Sequence, residues 1–193
     1  MFLTFLTSGM PSSVGGQVTQ AVEAASEAIG SNAFAFLESG LFWGFLGAAL
    51  CALLPFIGSA RGVNIAGEAA AGLVTEDPSM FGKIVIIENL PATQAIYGLL
   101  IAFVAVSKLG LFAPELAEVS LLQGALLFLA CMPMGIVGLI SAIFQGRTAA
   151  ATISILTKNP NETAKCILIT AMVETFAIFA LLISFLLVNF IIK

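Results

Sequence analysis

The 193-residue chain carries 7 Lys/Arg against 11 Asp/Glu, is 60% apolar and contains no His; its mean hydropathy of +1.10 and pI of about 4.7 lie far outside the range of soluble globular domains. So few basic residues leave no footprint for nucleic acid. Cys51, Cys131 and Cys166 sit singly in or beside apolar runs, which argues against both a zinc site and a disulfide framework.

In chain order, residues 1–37 lack Lys and Arg and open on a short apolar stretch, MFLTFLT, which matches a secretory signal poorly and leaves its removal open. Within them Val18, Val22, Ala25 and Ile29 share a helical face opposite Gln17, Gln20, Glu23 and Glu27, so the segment reads either as a short amphipathic helix on the outer membrane surface or as a polar tail. Roughly 20 apolar residues cross a bilayer, and four runs are long enough: 39–60, 84–107 interrupted by Glu88, 119–145, and 167–192 interrupted by Glu174. All four are predicted helices, because an open sheet cannot satisfy its backbone in lipid and no segment alternates like a barrel strand.

The stretches between the first and second runs, and between the third and fourth, are Ala-rich and end at the turn signals Asp77-Pro78 and Asn159-Pro160. They predict helices that continue past the hydrocarbon and turn back as two long hairpins. The reading is thus an all-α membrane protein of four helices: an extension over 1–37, a first hairpin over 38–110 and a second over 111–193. Five of the seven basic residues (Arg61, Lys83, Arg147, Lys158, Lys165) lie in these two hairpin regions, so the positive-inside rule places both turns in the cytoplasm. The 109–120 connection, with Pro114, Glu115 and Glu118, then lies outside with both termini.

Shifted by 82 residues, the chain aligns with itself: Ser59-Ala60 with Ser141-Ala142, Pro78 with Pro160, Lys83 with Lys165, Thr93 with Thr175. It is a duplicated hairpin, and the copies differ at one telling place, where Glu174 falls opposite Ala92. Small residues recur every four positions, as Gly40, Gly44, Ala48, Ala52, then Gly58, Gly62, Ala66, Ala70, and again Gly138, Ala142, Gly146, Ala150. Such rows let backbones approach closely; they fit ordinary bundle packing or the crowded inner circle of a ring.

A carboxylate deep in an apolar run costs a few kcal/mol or more and marks function unless it merely staples two helices. Glu174 is the clearest case. Glu88 lies near Lys83 and reads equally as a paired, snorkelling acid or as part of an ion path. Opposite Glu174 in the repeat register, LPATQAIYG (90–98) brings Thr93, Gln94 and Tyr97 into an otherwise apolar span, and Gln145 adds an amide oxygen. Pro91 lacks an N–H and is expected to release the carbonyl of Ile87. Several neutral oxygens around one carboxylate suit a hard cation such as Na+. A proton needs only one partner, so Na+ is preferred and H+ stays as the alternative.

The duplicated hairpin, with the runs ENLPATQAIYG, FQGRTAAA and MVETFAIF, resembles the proteolipid rotor subunits (subunit K) of V-type rotary ATPases, in their Na+-pumping branch, from about Leu41 to the C-terminus. The resemblance implies a ring of identical subunits turning against a stator subunit with an essential arginine, gripped by central-stalk subunits at the hairpin tips. It implies a Na+ shell of the Leu90 backbone oxygen with the side chains of Thr93, Gln94, Gln145 and Glu174, and a Tyr97 hydroxyl bonded to the carboxylate. The long N-terminal stretch and Glu88 depart from the family pattern. No GxxxxGK[ST] phosphate loop occurs, so this is a non-catalytic subunit with ATP hydrolysed elsewhere. Two rivals are a small proton-coupled exporter, which would surround its acid with aromatics, and a structural tetraspan, which needs no buried acid.

Overall fold

The computed structural model describes residues 19–24, 26, 27, 30 and 35–192, and among them every regular element is helical. Residues 19–24, 26 and 27 are helical and include Val22, Gln20, Glu23 and Glu27 of the expected amphipathic segment. Gln17, Val18, Ala25 and Ile29 lie outside the described residues. The elements that follow are α1 (Gly40–Glu76), a 3-10 turn (Pro78–Met80), α2 (Phe81–Asn89), a second 3-10 turn (Leu90–Ala92), α3 (Thr93–Lys108), α4 (Leu121–Lys158), α5 (Thr163–Met172) and α6 (Glu174–Ile191).

Each boundary has a local cause. Ser39 caps α1 by accepting from the Phe42 N–H at 3.2 Å, and Ser120 and Gln123 close a reciprocal capping box on α4. Asp77 ends α1 and caps the turn that Pro78 starts, accepting from the N–H and hydroxyl of Ser79 at 3.0 and 2.6 Å. These bonds from Ser79 hold the Asp77 carboxyl below its usual range. After α3, Gly110 takes φ +81°. The Leu111 N–H then reaches the Val106 carbonyl and the Gly110 N–H that of Ser107, a Schellman ending that turns the chain toward α4.

At 37 and 38 residues, α1 and α4 are each about 55 Å long. The hydrocarbon core measures about 30 Å, so both helices extend past it, as the hairpin reading requires. They also form the main contact of the fold. Gly40 packs against Gly124 near one end and Gly62 against Gly146 toward the other, while Gly58 meets the backbone of Leu139. At all three places a Cβ would strike main chain, which is why the small-residue rows exist. The protein is a multi-pass membrane protein with four apolar spanning segments. Its exterior carries large apolar side chains such as Ile96, Phe103, Leu129, Phe176 and Leu186, a surface suited to lipid and neighbours and not to water.

The outer arm of each hairpin is interrupted. In the first, the expected release of the Ile87 carbonyl does not occur: the Leu90 N–H bonds to it and the Thr93 N–H bonds to Leu90, tightening the chain into a 3-10 turn around Pro91. In the second, where one helix over 167–192 is expected, the arm breaks at Val173 into α5 and α6. Val173 is the repeat counterpart of Pro91. Its N–H turns back to Thr170 at 3.3 Å, and its carbonyl accepts the Ser141 hydroxyl at 3.1 Å. The break is therefore a property of the duplicated fold and does not need proline.

Candidate ion-binding site

Two apolar clusters fill the interior. One gathers Cys51, Ile101, Leu109, Leu127, Cys131 and Val188; the other Ala66, Ile84, Ile87, Ile153, Leu156 and Cys166. Along the helices, the buried polar residues Ser59, Gln94, Ser141, Gln145 and Thr170 fall between these two sets. This polar layer coincides with the two breaks in the outer arms.

Its hydrogen bonds run as one chain across three helices. The Thr93 hydroxyl donates to the Leu90 carbonyl at 3.0 Å and lies 3.4 Å from Gln94 Oε1. Gln94 Nε2 donates to Gln145 Oε1 at 2.5 Å, and Gln145 Nε2 to the Thr170 carbonyl at 3.3 Å. Gln94 and Gln145 are both 0% exposed, and each buried amide finds its partners within this chain of bonds. A second arm meets the first. The Tyr97 hydroxyl donates to Glu174 Oε1 and lies within reach of the Thr93 side chain. Both Tyr97 and Glu174 are half-buried. Tyr97 belongs to the first hairpin and Glu174 to the second, so the site straddles the boundary between the two copies of the repeat.

Leu90, Thr93, Gln94, Gln145, Glu174 and Tyr97 thus stand in one neighbourhood, connected through Thr93 and Tyr97. Glu88 does not join it. Its carboxylate turns toward α1, with Oε1 3.0 Å from where a side chain on Gly67 would begin, and it lines a cleft with Val63, Asn64 and Glu68. Among the described residues the ion pair found is Lys165–Glu162 at 2.7 Å, at the second hairpin tip. Glu174 therefore has no basic side chain among them to balance its charge.

Residue typing did not single out Ser59, Ser141 or Thr170. Ser141 lies 3.5 Å from Gln94 Nε2 and holds the Val173 carbonyl beside Glu174. Ser59, its repeat counterpart, accepts the Ala95 N–H at 3.1 Å, and Thr170 pairs with Thr152 at 3.1 Å. The matching Ser-Ala pairs of the repeat were the available signal.

The family model of the ATP synthase C subunit matches twice, over residues 46–105 and 128–187, displaced by the same 82 residues as the internal repeat. The chain is 44% identical over 151 residues to the V-type sodium ATPase subunit K of Enterococcus hirae, covering 78% of this chain and 93% of that one. It is 42% identical over 145 residues to the A-type ATP synthase subunit K of Methanocaldococcus jannaschii (75% and 62% covered). A third relative, a V-type proton ATPase subunit of Saccharomyces cerevisiae, is 35% identical over 119 residues (61% and 56%).

Proposed function

The chain belongs to the ATP synthase C-subunit family, and on that premise we propose that its cargo is Na+, carried on Glu174 within an oxygen shell of Leu90, Thr93, Gln94 and Gln145. The protein is a non-catalytic ring subunit of a V-type rotary ATPase, present as identical copies, with ATP hydrolysed by other subunits. The observation that carries the Na+ reading is the pairing of one unbalanced carboxylate with a buried layer of neutral oxygens. A proton would neutralise Glu174 without them, whereas a hard cation that gives up its water needs several such oxygens. The V-type sodium ATPase relative supports the same choice.

Each part of the site has a task. Glu174 supplies the charge; the amide and hydroxyl oxygens replace the hydration shell a hard cation gives up. Tyr97, by donating to one carboxylate oxygen, holds Glu174 turned toward the shell. The loaded site is neutral and can pass through lipid, whereas the empty carboxylate cannot. A stator arginine would release the ion by taking its place beside Glu174, which ties rotation to one-way transfer. The hairpin tips at 76–80 and 158–162 face the cytoplasm in this reading and meet the central stalk.

Carbodiimides attack protonated carboxyl groups, so millimolar Na+ at neutral pH should slow modification of Glu174 in the purified protein. A labelling rate indifferent to Na+ across neutral pH would sink the Na+ assignment and leave H+ as the cargo.

A further inference from the structure

Glu88 reads from sequence either as an acid paired with Lys83 or as part of an ion path. In the fold Lys83 is engaged elsewhere, its Nζ donating to the Pro160 carbonyl at 2.9 Å. Among the described residues Glu88 has neither a hydrogen bond nor an ion pair. Its carboxylate is half-buried within the apolar span Pro78–Lys108, where an unpartnered charge is costly. The duplicated fold does not need an acid at this place. The repeat counterpart of Glu88 is Thr170, which is 0% exposed and donates its hydroxyl to the Cys166 carbonyl at 2.9 Å.

Two hollows meet at Glu88. One, of about 460 Å³, is lined by Val63, Val85, Glu88, Asn89, Leu90 and Thr93, so it opens onto two members of the proposed ion shell. The other, of about 550 Å³, runs from Val63 and Glu88 past Asn64 and Glu68 to Ala71. Because they share Val63 and Glu88, the two form one groove along α1 and α2, leading from the side of the hairpin tip to Leu90 and Thr93. Glu68, exposed at the tipward end, accepts from the Asn64 amide at 3.0 Å. Glu88, midway along, is the acid left without a donor.

We infer that this groove is the route by which the cation reaches its site, and that the fixed charge of Glu88 draws small cations along it and lowers the Na+ concentration needed to load Glu174. The inference rests on the Na+ reading and adds a route and a residue that tunes affinity. In the orientation proposed above, the groove opens toward the cytoplasm. Glu88 acts here from a distance and not as a ligand. It stands five positions before Thr93, roughly 8 Å along the arm, whereas oxygens that coordinate a hard cation lie within about 2.6 Å of it. A unit charge acting over about 10 Å through a partly aqueous groove changes cation affinity by about three- to tenfold. Such an effect is screened by salt, which separates it from a change in the shell itself.

The test measures protection of Glu174 from carbodiimide by NaCl, followed by mass spectrometry of the peptide that carries Glu174. The titration is run at low ionic strength and again at about 0.5 M choline chloride, whose cation is too large for the shell and which screens charges roughly 10 Å apart. At low ionic strength, half-protection in Glu88→Gln should need about three- to tenfold more Na+ than in the native protein, and the gap should close at high ionic strength. Glu88→Asp should stay near native. Combining Glu88→Gln with Val85→Glu should recover much of the loss, because Val85 lines the same hollow and is 40% exposed. Combining it with Phe112→Glu, which adds the charge beyond the far end of α3, should not. Val85→Lys leaves Glu88 in place and sets an opposing charge in the groove, so it should raise the Na+ requirement even if Glu88→Gln fails to assemble. An unchanged requirement in Glu88→Gln or in Val85→Lys, a gap that persists at high ionic strength, or equal recovery by Phe112→Glu would overturn the role of Glu88. Absence of Na+ protection in the native protein would instead overturn the Na+ reading, and the route with it.

Discussion

Glu174 and Tyr97 separate charge from orientation, and the two are distinguishable by substitution. Glu174→Gln keeps the side-chain shape and removes the charge, so Na+ uptake by the whole ATPase in vesicles should be abolished. Transport that survives there but is lost in Glu88→Gln would move the essential acid to α2. Tyr97→Phe removes a hydrogen bond to a charged group, worth about 1.5–3 kcal/mol. Protection of Glu174 from carbodiimide should then need roughly tenfold or more Na+; an unchanged concentration dependence would remove Tyr97 from the site. Thr93→Ala and Gln94→Ala should each weaken protection. Only Gln94→Ala leaves the buried Gln145 amide without its donor, so it should also lose about 1–3 kcal/mol of stability, seen as a lower unfolding temperature in detergent.

Glycine has opposite consequences at different places on the helices. A side chain on Gly62 would strike the Ala142 carbonyl, and one on Gly146 the backbone of Gly62; Gly62→Leu or Gly146→Leu should abolish the α1–α4 contact and with it the folded yield. Gly72, also in α1, has nothing within 4 Å of an added Cβ. Gly72→Ala should stabilise by about 0.5–1 kcal/mol through helix propensity, and a marked loss of stability would show that this segment is crowded in the folded protein. The broken arms carry a third expectation. Because α5 and α6 separate at Val173 without proline, Pro91→Ala should keep Na+ protection of Glu174 within a few-fold of native, and its loss would assign the site's geometry to the proline itself.

For the molecule as a whole, function depends on which way the hairpins face. Single cysteines at Ser79 and Asn161, both exposed at the tips, should react with impermeant maleimides only from the cytoplasmic side; reaction from outside would reverse the orientation. The repeat supplies the rest of the architecture. Two hairpins pack through glycine inside one chain.

Hydropathy and spacing determined much of this protein from the sequence alone: the four spans, the two hairpins turning at Asp77-Pro78 and Asn159-Pro160, and the doubled unit. These follow from how much apolar length a bilayer demands and from turn residues that act locally. Glu174 stood out for the same reason, since a charge in lipid is conspicuous whatever surrounds it. What tertiary structure decided is which groups face one another. That Pro91 makes a 3-10 turn without freeing Ile87 rests on bonds three residues apart whose formation the sequence does not announce, whereas the bond of Ser141 to the Val173 carbonyl and that of Gln145 to the Thr170 carbonyl join residues far apart in the chain. Tyr97 and Glu174 lie 77 positions apart. No local pattern brings them together; their meeting depends on how α3 and α6 are seated against the α1–α4 pair, which Gly58, Gly62 and Gly146 let pack backbone to backbone.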